Sequence, residues 1–290
     1  MSGSTDGPQR APWSEIKLAL EAQGFRPSRA LGQNFLIDEN MLRAIVRDAR
    51  LEPGAFVVEI GPGCGVLTAQ LVRAGAVVTA VELDPTLHDF ARNFLDGEPI
   101  TWILGDALAG KHALNPELVA RLPREGAWHL VSNLPYSAGT PILAACSRLE
   151  HPPQSATVLV QSDLAQRIAA APGSREWGAL SARMQIAYVV RRLRELPPHL
   201  FWPRPTVDSS LLRLELRADR PEPGELARFD RLVEVLFQQR RKTVQNRLEA
   251  FFDSRERATS TCAELNLDPR LRPENLGLAT LLALVRSSAD

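Results

Sequence analysis

Cysteine is scarce. Cys64, Cys146 and Cys262 are widely separated and odd in number, so no disulfide framework is expected and no zinc site is suggested. No apolar run approaches the length that crosses a bilayer. The first twelve residues are rich in Gly, Ser and Pro and lack the hydrophobic core of a signal peptide. The expectation is a cytoplasmic protein with a disordered tail over residues 1–12, without membrane or metal. Lysine is equally scarce: only Lys17, Lys111 and Lys242 occur, so the positive charge is almost all guanidinium. The formal net charge is zero, which does not advertise a polyanionic partner. Its distribution is more informative, since a positive excess lies after Arg191 and a negative one before it. There is no internal repeat and no G-x-G-x-x-G spacing.

What is present fits a folded α/β chain. With 290 residues, 44% of them apolar and 23% charged, one large domain and a small one are expected. Short apolar runs predict strands near Phe56–Ile60, Val77–Glu82, Ile100–Leu104, Trp128–Asn133, Thr157–Gln161, Tyr188–Arg194 and Ser210–Leu216. The first five are spaced for crossover helices and hence for parallel pairing. The last two are joined by a Pro-rich stretch that no helix tolerates, which predicts an antiparallel final strand. Residues 218–225 read as a linker and the remainder as helical. The expected domains are therefore 13–220 and 221–290.

Several residue groups can carry chemistry. Gly61-Pro62-Gly63-Cys64-Gly65 ends an apolar strand and opens a helix, a turn predicted to present unpaired backbone N–H groups. Without the dinucleotide spacing, and with Pro62 lacking a donor, it suits a cofactor without phosphate, such as S-adenosylmethionine (SAM). Glu82 closes the next strand, where a carboxylate can accept from both ribose hydroxyls. Asp106, after the third strand, can take the exocyclic amine of adenine or simply cap a helix. Asn133-Leu134-Pro135-Tyr136 is the most specific group. The Asn133 side-chain carbonyl and the Leu134 backbone carbonyl can accept both N–H protons of an exocyclic amine, making its nitrogen more nucleophilic. Pro135 fixes the turn and Tyr136 offers a face to a splayed-out base. Phe201, in a rigid Pro-rich connection with Arg204, is expected to close over that base, although core packing is the usual use of such a ring. The run Leu236–Arg247 reads as one helix with Arg240, Thr243 and Arg247 on one face beside Arg241 and Lys242, a surface for an RNA backbone or a merely solvated face.

Together these residues resemble the KsgA family, the small-subunit rRNA adenine dimethyltransferases. The likeness runs from about Arg29 to Ala279. It includes Leu31-Gly32-Gln33-Asn34-Phe35-Leu36, the Gly61 turn, Glu82-Leu83-Asp84, Asp106-Ala107, the Asn133 tetrapeptide, Pro203-x-Pro205-x-Val207-Asp208-Ser209 and Gln239-Arg240-Arg241-Lys242-Thr243. The resemblance implies a class I SAM-dependent methyltransferase fold, a Rossmann-like seven-stranded sheet, with a small C-terminal helical domain. It implies SAM contacts at Asn34, Leu36, Gly61, Gly63, Glu82, Asp106 and Asn133. It also implies dimethylation of two adjacent adenosines in a terminal small-subunit rRNA hairpin and a part in assembly of the subunit; a monomer is expected. Ser137 and Ser162-Asp163 depart from the family's usual Asn and Lys-Glu. Two alternatives stay open: an Erm-like enzyme acting on large-subunit rRNA, and an assembly or transcription factor that keeps the fold.

Overall fold

The computed structural model describes residues 12–28, 31–110 and 113–287; the expected tail lies almost wholly outside them. The strands are β1 (Phe35–Leu36), β2 (Phe56–Ile60), β3 (Val77–Glu82), β4 (Ile100–Leu104), β5 (Trp128–Asn133), β6 (Ser155–Gln161), β7 (Tyr188–Leu196), β8 (Phe201–Trp202) and β9 (Ser209–Leu216). The helices are α1 (Trp13–Ala22), α2 (Glu39–Ala49), α3 (Val66–Arg73), α4 (Pro85–Phe94), α5 (Pro116–Arg121), α6 (Gly139–Arg148), α7 (Ser162–Ile168), α8 (Ala179–Gln185), α9 (Pro223–Gln238), α10 (Val244–Phe252), α11 (Arg255–Glu264) and α12 (Leu278–Arg286). Seven strands form a mixed sheet in the order β4-β3-β2-β5-β6-β9-β7. The pairs β4–β3, β3–β2, β2–β5 and β5–β6 are all parallel. Four of the seven strands have the bounds expected from sequence; β6 starts two residues earlier, β7 ends two later and β9 starts one earlier. A separate two-stranded ribbon pairs β1 with β8 antiparallel, Phe35 opposite Trp202 and Leu36 opposite Phe201.

Local sequence explains the elements that matter for the site. β2 is the near-continuous apolar run of an interior parallel strand, and Val57, Val58 and Ile60 are fully buried. Asp84 caps α4: its Oδ1 accepts from Thr86 N at 2.9 Å and Leu87 N at 3.3 Å, while Pro85 supplies the preset first helical residue. The acids that end or follow β3 and β4 are thereby brought to the carboxyl edge of the sheet, where open α/β folds place their ligands.

The chain resolves into two compact units. The first is the stretch ending at Cys146 together with Pro153–Ser162 and Leu193–Arg213. Its core includes Leu42, Ile45, Val57, Leu67, Val78, Leu87, Leu159 and Phe201. The second comprises Ser147–Pro152, Asp163–Arg192 and the chain from Leu214 onward, with a core that includes Trp177, Phe229, Leu232, Leu248, Leu281 and Leu284.

The predicted helix over Leu236–Arg247 is not continuous. α9 ends at Gln238, a turn follows in which Lys242 N donates to the Gln239 carbonyl at 2.9 Å, and Thr243 caps α10 through its hydroxyl. Arg240, Thr243 and Arg247 therefore do not share one helical face.

Candidate active site

A cleft of about 220 Å³ opens in the first unit at the carboxyl ends of β2 to β5. Its wall contains Asn34, Leu36, Gly61, Gly63, Glu82, Asp106, Asn133, Leu134, Pro135 and Tyr136, so nine sequence-expected positions join Asn133 at one place. Phe201 and Arg204 are not in that wall. The Phe201 ring is 3% exposed and belongs to the core, because its backbone is paired with Leu36 across the β1–β8 ribbon. Arg204 is exposed.

The glycine turn differs from expectation in an instructive way. Its N–H groups are not free: Gly61 N donates to the Val81 carbonyl at 2.8 Å, Gly65 N to the Pro62 carbonyl at 3.0 Å, and Gly63 N to Glu82 Oε2 at 2.9 Å. What its glycines allow is close packing of neighbouring side chains against the turn. Gly63 has φ +58°, and a Cβ built there would lie 2.6 Å from the Phe35 ring. Gly61 has φ +73°, and a Cβ there would be 3.2 Å from Pro135. The three glycine N–H groups are thus engaged within the protein, which suits a sulfonium cofactor better than a pyrophosphate.

Glu82 is 5% exposed, and its Oε1 accepts from Asp84 N at 2.9 Å. Both carboxylate oxygens thus accept from backbone N–H groups, and each can still accept from a ligand hydroxyl. Burial raises the Glu82 pKa, and the N–H groups of Asp84 and Gly63 oppose that shift. Asp106 forms an Asx turn, Oδ1 accepting from Leu108 N at 2.9 Å, and its side chain is exposed at the cleft rim. The capping alternative is thus partly realised without removing Asp106 from the cleft.

Asn133 ends β5. Its Nδ2 donates to the Asn34 carbonyl at 2.8 Å, and its Oδ1 is buried with no partner. The amide is therefore held with its acceptor free. Tyr136 is anchored through its hydroxyl, 2.5 Å from Ser209 Oγ, and burial raises its pKa. Ser137 is exposed on the cleft wall; Ser162 N donates to the Asp208 carbonyl at 3.0 Å and Ser162 Oγ lies 2.8 Å from Ser210 Oγ.

Sequence reading missed Glu59, Gln33, Asp84 and Ser209 as members of the site. Glu59 lies in the cleft floor, 1% exposed, with Oε2 unpartnered. Burial pushes its pKa up to about 8; the Thr68 hydroxyl opposes the shift and the Glu82 charge adds to it. A carboxylate inside an apolar strand was the signal. The links made by Gln33, Asp84 and Ser209 join segments distant in sequence and left no local signal.

The RNA-binding candidates of the second unit divide. Arg240, Arg241 and Lys242 are exposed on the turn between α9 and α10, with Arg240 donating to the Trp177 carbonyl. Arg247 is 8% exposed, its Nε donating to the Val235 carbonyl at 2.9 Å and its Nη1 to Gln239 Oε1 at 3.2 Å. Its guanidinium closes the turn from inside. Among the described residues there is no cluster of three His, Cys, Asp or Glu side chains able to hold a metal, and no helix long and apolar enough to cross a membrane.

The sheet order, the tightly packed glycine turn and the strand-end acid define a class I SAM-dependent methyltransferase. The profile of the ribosomal RNA adenine dimethylases matches residues 24–282, and the chain belongs to that family. It is 38% identical to the ribosomal RNA small subunit methyltransferase A of Phenylobacterium zucineum, over 93% of this chain and 90% of that protein. It is 39% identical to the protein of the same name from Leifsonia xyli subsp. xyli, over 93% and 96%. Among solved structures, the 23S rRNA methyltransferase ErmE is 26% identical with a TM-score of 0.67, covering 87% of this chain and 98% of that one. A dimethyladenosine transferase from Plasmodium falciparum is 19% identical with a TM-score of 0.71, covering 85% and 94%, and shares the fold. The enzyme is a SAM-dependent rRNA adenine dimethyltransferase, with SAM as methyl donor.

Proposed function

We propose that this chain dimethylates N6 of two adjacent adenosines in the 3′-terminal hairpin of small-subunit rRNA during ribosome biogenesis, acting as a cytoplasmic monomer on the assembling subunit. The observation that carries the chemistry is the buried, unpartnered Oδ1 of Asn133, a residue of the cleft wall whose amide is fixed by the bond from Nδ2 to Asn34. Support for the small subunit comes from the name carried by the relatives at 38% and 39% identity.

SAM, when bound, supplies an electrophilic methyl group on its sulfonium. Glu82 would accept its ribose hydroxyls and Asp106 its adenine amine, while Asn34, Leu36, Gly61 and Gly63 shape the remaining wall. Asn133 Oδ1 and the Leu134 carbonyl accept the two N–H groups of the target adenine. That holds the nitrogen lone pair out of conjugation with the ring and aims it into the cleft. Pro135 fixes this turn, and Tyr136, tethered to Ser209, stacks on the extruded base. No strong base is required, because the proton leaves after the nitrogen has gained its methyl group. After the first transfer the amine keeps one N–H, so a single acceptor suffices for the second. Residues 221–290, through Arg240, Arg241 and Lys242, and Arg204 in the preceding part, contact the RNA backbone.

The large-subunit reading has one observation in its favour, the likeness to ErmE. Transfer of labelled methyl from SAM to under-methylated small subunits, with large-subunit RNA in parallel and nucleoside analysis after, decides between the two. Dimethyladenosine in small-subunit RNA alone is the expected result. Label in large-subunit RNA would overturn it.

A further inference from the structure

An asparagine amide serves as an acceptor in only one of its two orientations. For Asn133 that orientation is set from outside its own tetrapeptide, by the Asn34 carbonyl that receives Nδ2. Asn34 lies in the segment leading to β1, whose far end is secured by pairing with β8 and by Phe35 packed against Gly63. The near end is secured by Gln33. Its Oε1 accepts from Ser28 N at 2.6 Å and its Nε2 donates to Asp84 Oδ2 at 2.9 Å. Asp84 is itself fixed twice over: Oδ1 caps α4, and its N–H donates to Glu82 Oε1.

Building on the methyl-transfer reading above, we infer that Gln33 and Asp84 form a latch that positions the Asn34 carbonyl and thereby orients the Asn133 amide. Both are positioning residues, for they act through Asn34. The chemistry of the latch explains the residue types. Gln33 must accept on one side and donate on the other, which an amide does and neither a carboxylate nor an ammonium does. Asp84 must accept three hydrogen bonds, one from the side chain of Gln33 and two from the helix end. The same geometry ties the wall that holds Asn34 to the acid that ends β3, so the orientation of the amine acceptor and the seat of the cofactor ribose share one anchor.

The polarity of this latch can be reversed. Gln33→Glu alone sets two carboxylates against each other. Asp84→Asn alone sets donor against donor while keeping a good helix cap. Combined, the new carboxylate still accepts from Ser28 N and also accepts from the new amide, restoring the bond in the opposite sense.

Two readouts are needed for the wild type, both single variants and the double variant. The first is hydrogen exchange of the Asn133 side-chain amide, followed by 1H–15N NMR without cofactor and identified by its loss in Asn133→Ala. The second is kcat and KM for under-methylated small subunits at saturating SAM. Each single variant is expected to speed amide exchange and lower kcat by roughly tenfold or more with KM within about twofold, and the double variant to recover most of both. Single variants with wild-type exchange and kcat, or a double variant no better than the singles, would overturn the latch. A wild type that transfers no methyl defeats the functional reading, and the NMR exchange then decides the latch by itself.

Discussion

The cleft of the first unit and the second unit differ in which polar groups they leave over: carbonyl and carboxylate oxygens in the cleft, N–H groups such as Trp177 Nε1 and Arg220 Nε in the second unit. In the cleft, Asn133 Oδ1 and Glu59 Oε2 are buried without partners, and Phe35 and Pro135 pack so closely on the glycine turn that a Cβ at Gly63 or Gly61 would meet them. In the helical unit several guanidinium groups are engaged by the protein itself. Arg148 forms a bidentate pair with Asp230 at 2.7 and 2.6 Å, Arg220 donates to the Ser147 and Leu149 carbonyls, and Arg247 fastens the α9–α10 turn. The lesson is that an arginine count overstates the surface available to RNA, whereas an unsatisfied buried acceptor marks where a ligand belongs. Leaving such a group unpaired costs about 1–3 kcal/mol, and a fold retains it where function requires.

The largest test of this contrast is Asn133→Ala. Methyl transfer is expected to fall by roughly a hundredfold or more, the scale of removing one preorganised hydrogen-bonding group from a reacting centre. SAM affinity, by calorimetry, is expected to change far less, and wild-type turnover would end the proposed role. Glu59→Gln comes next. The folded-state pKa of Glu59 is raised from 4.5 to about 8, so the folded state holds a proton that the unfolded chain has released. Stability from this group is full below pH 4.5 and is lost as pH rises to about 8, at up to about 1.4 kcal/mol per pH unit. Glu59→Gln is expected to flatten denaturant-measured stability across that window. An unchanged slope would mean that the carboxyl titrates normally.

Gly63→Ala meets the Phe35 ring and a left-handed φ. It is expected to cost about 1–3 kcal/mol of stability and to weaken SAM binding, read by melting temperature and calorimetry. The last pair of variants separates the two kinds of arginine. Arg247→Ala is expected to destabilise by about 2 kcal/mol through the acceptors it abandons, leaving the salt dependence of RNA binding as it was. Arg241→Ala with Lys242→Ala is expected to leave the melting temperature unchanged and to lower the salt slope by up to about two. An Arg247→Ala protein with unchanged stability and a reduced slope would reverse this division.

The particular residues explain how far sequence reading reaches. Strands such as Val77–Glu82 were legible because interior parallel strands are continuous apolar runs ended by a turn. The cleft residues were legible because glycine, acid and Asn-Leu-Pro-Tyr each follow such a strand. The break after Gln238 was hidden by an apolar pattern that continues from Leu236 to Val244 and Leu248, yet Thr243 carried an N-cap signal that was read as a helix interior. For Phe201, core packing was the general expectation for such a ring, but its partner was not legible. Its burial depends on Leu36, far away in the chain, and only tertiary structure brings them together. The same holds for the bond from Gln33 to Asp84 and for the hydroxyl pair of Tyr136 and Ser209.

The β1–β8 ribbon imposes an order of events on synthesis. Phe35 and Leu36 emerge from the ribosome well before their pairing partners, Trp202 and Phe201, which lie more than 160 residues further along the chain. At a typical elongation rate the early segment waits on the order of ten seconds or more for its other half. β2, β3, β4 and β5 can pair in the meantime, since all four lie between the two halves of the ribbon. One wall of the cleft is thus translated early and fixed late, and a nascent chain is without its Asn34 clamp until β8 has been made.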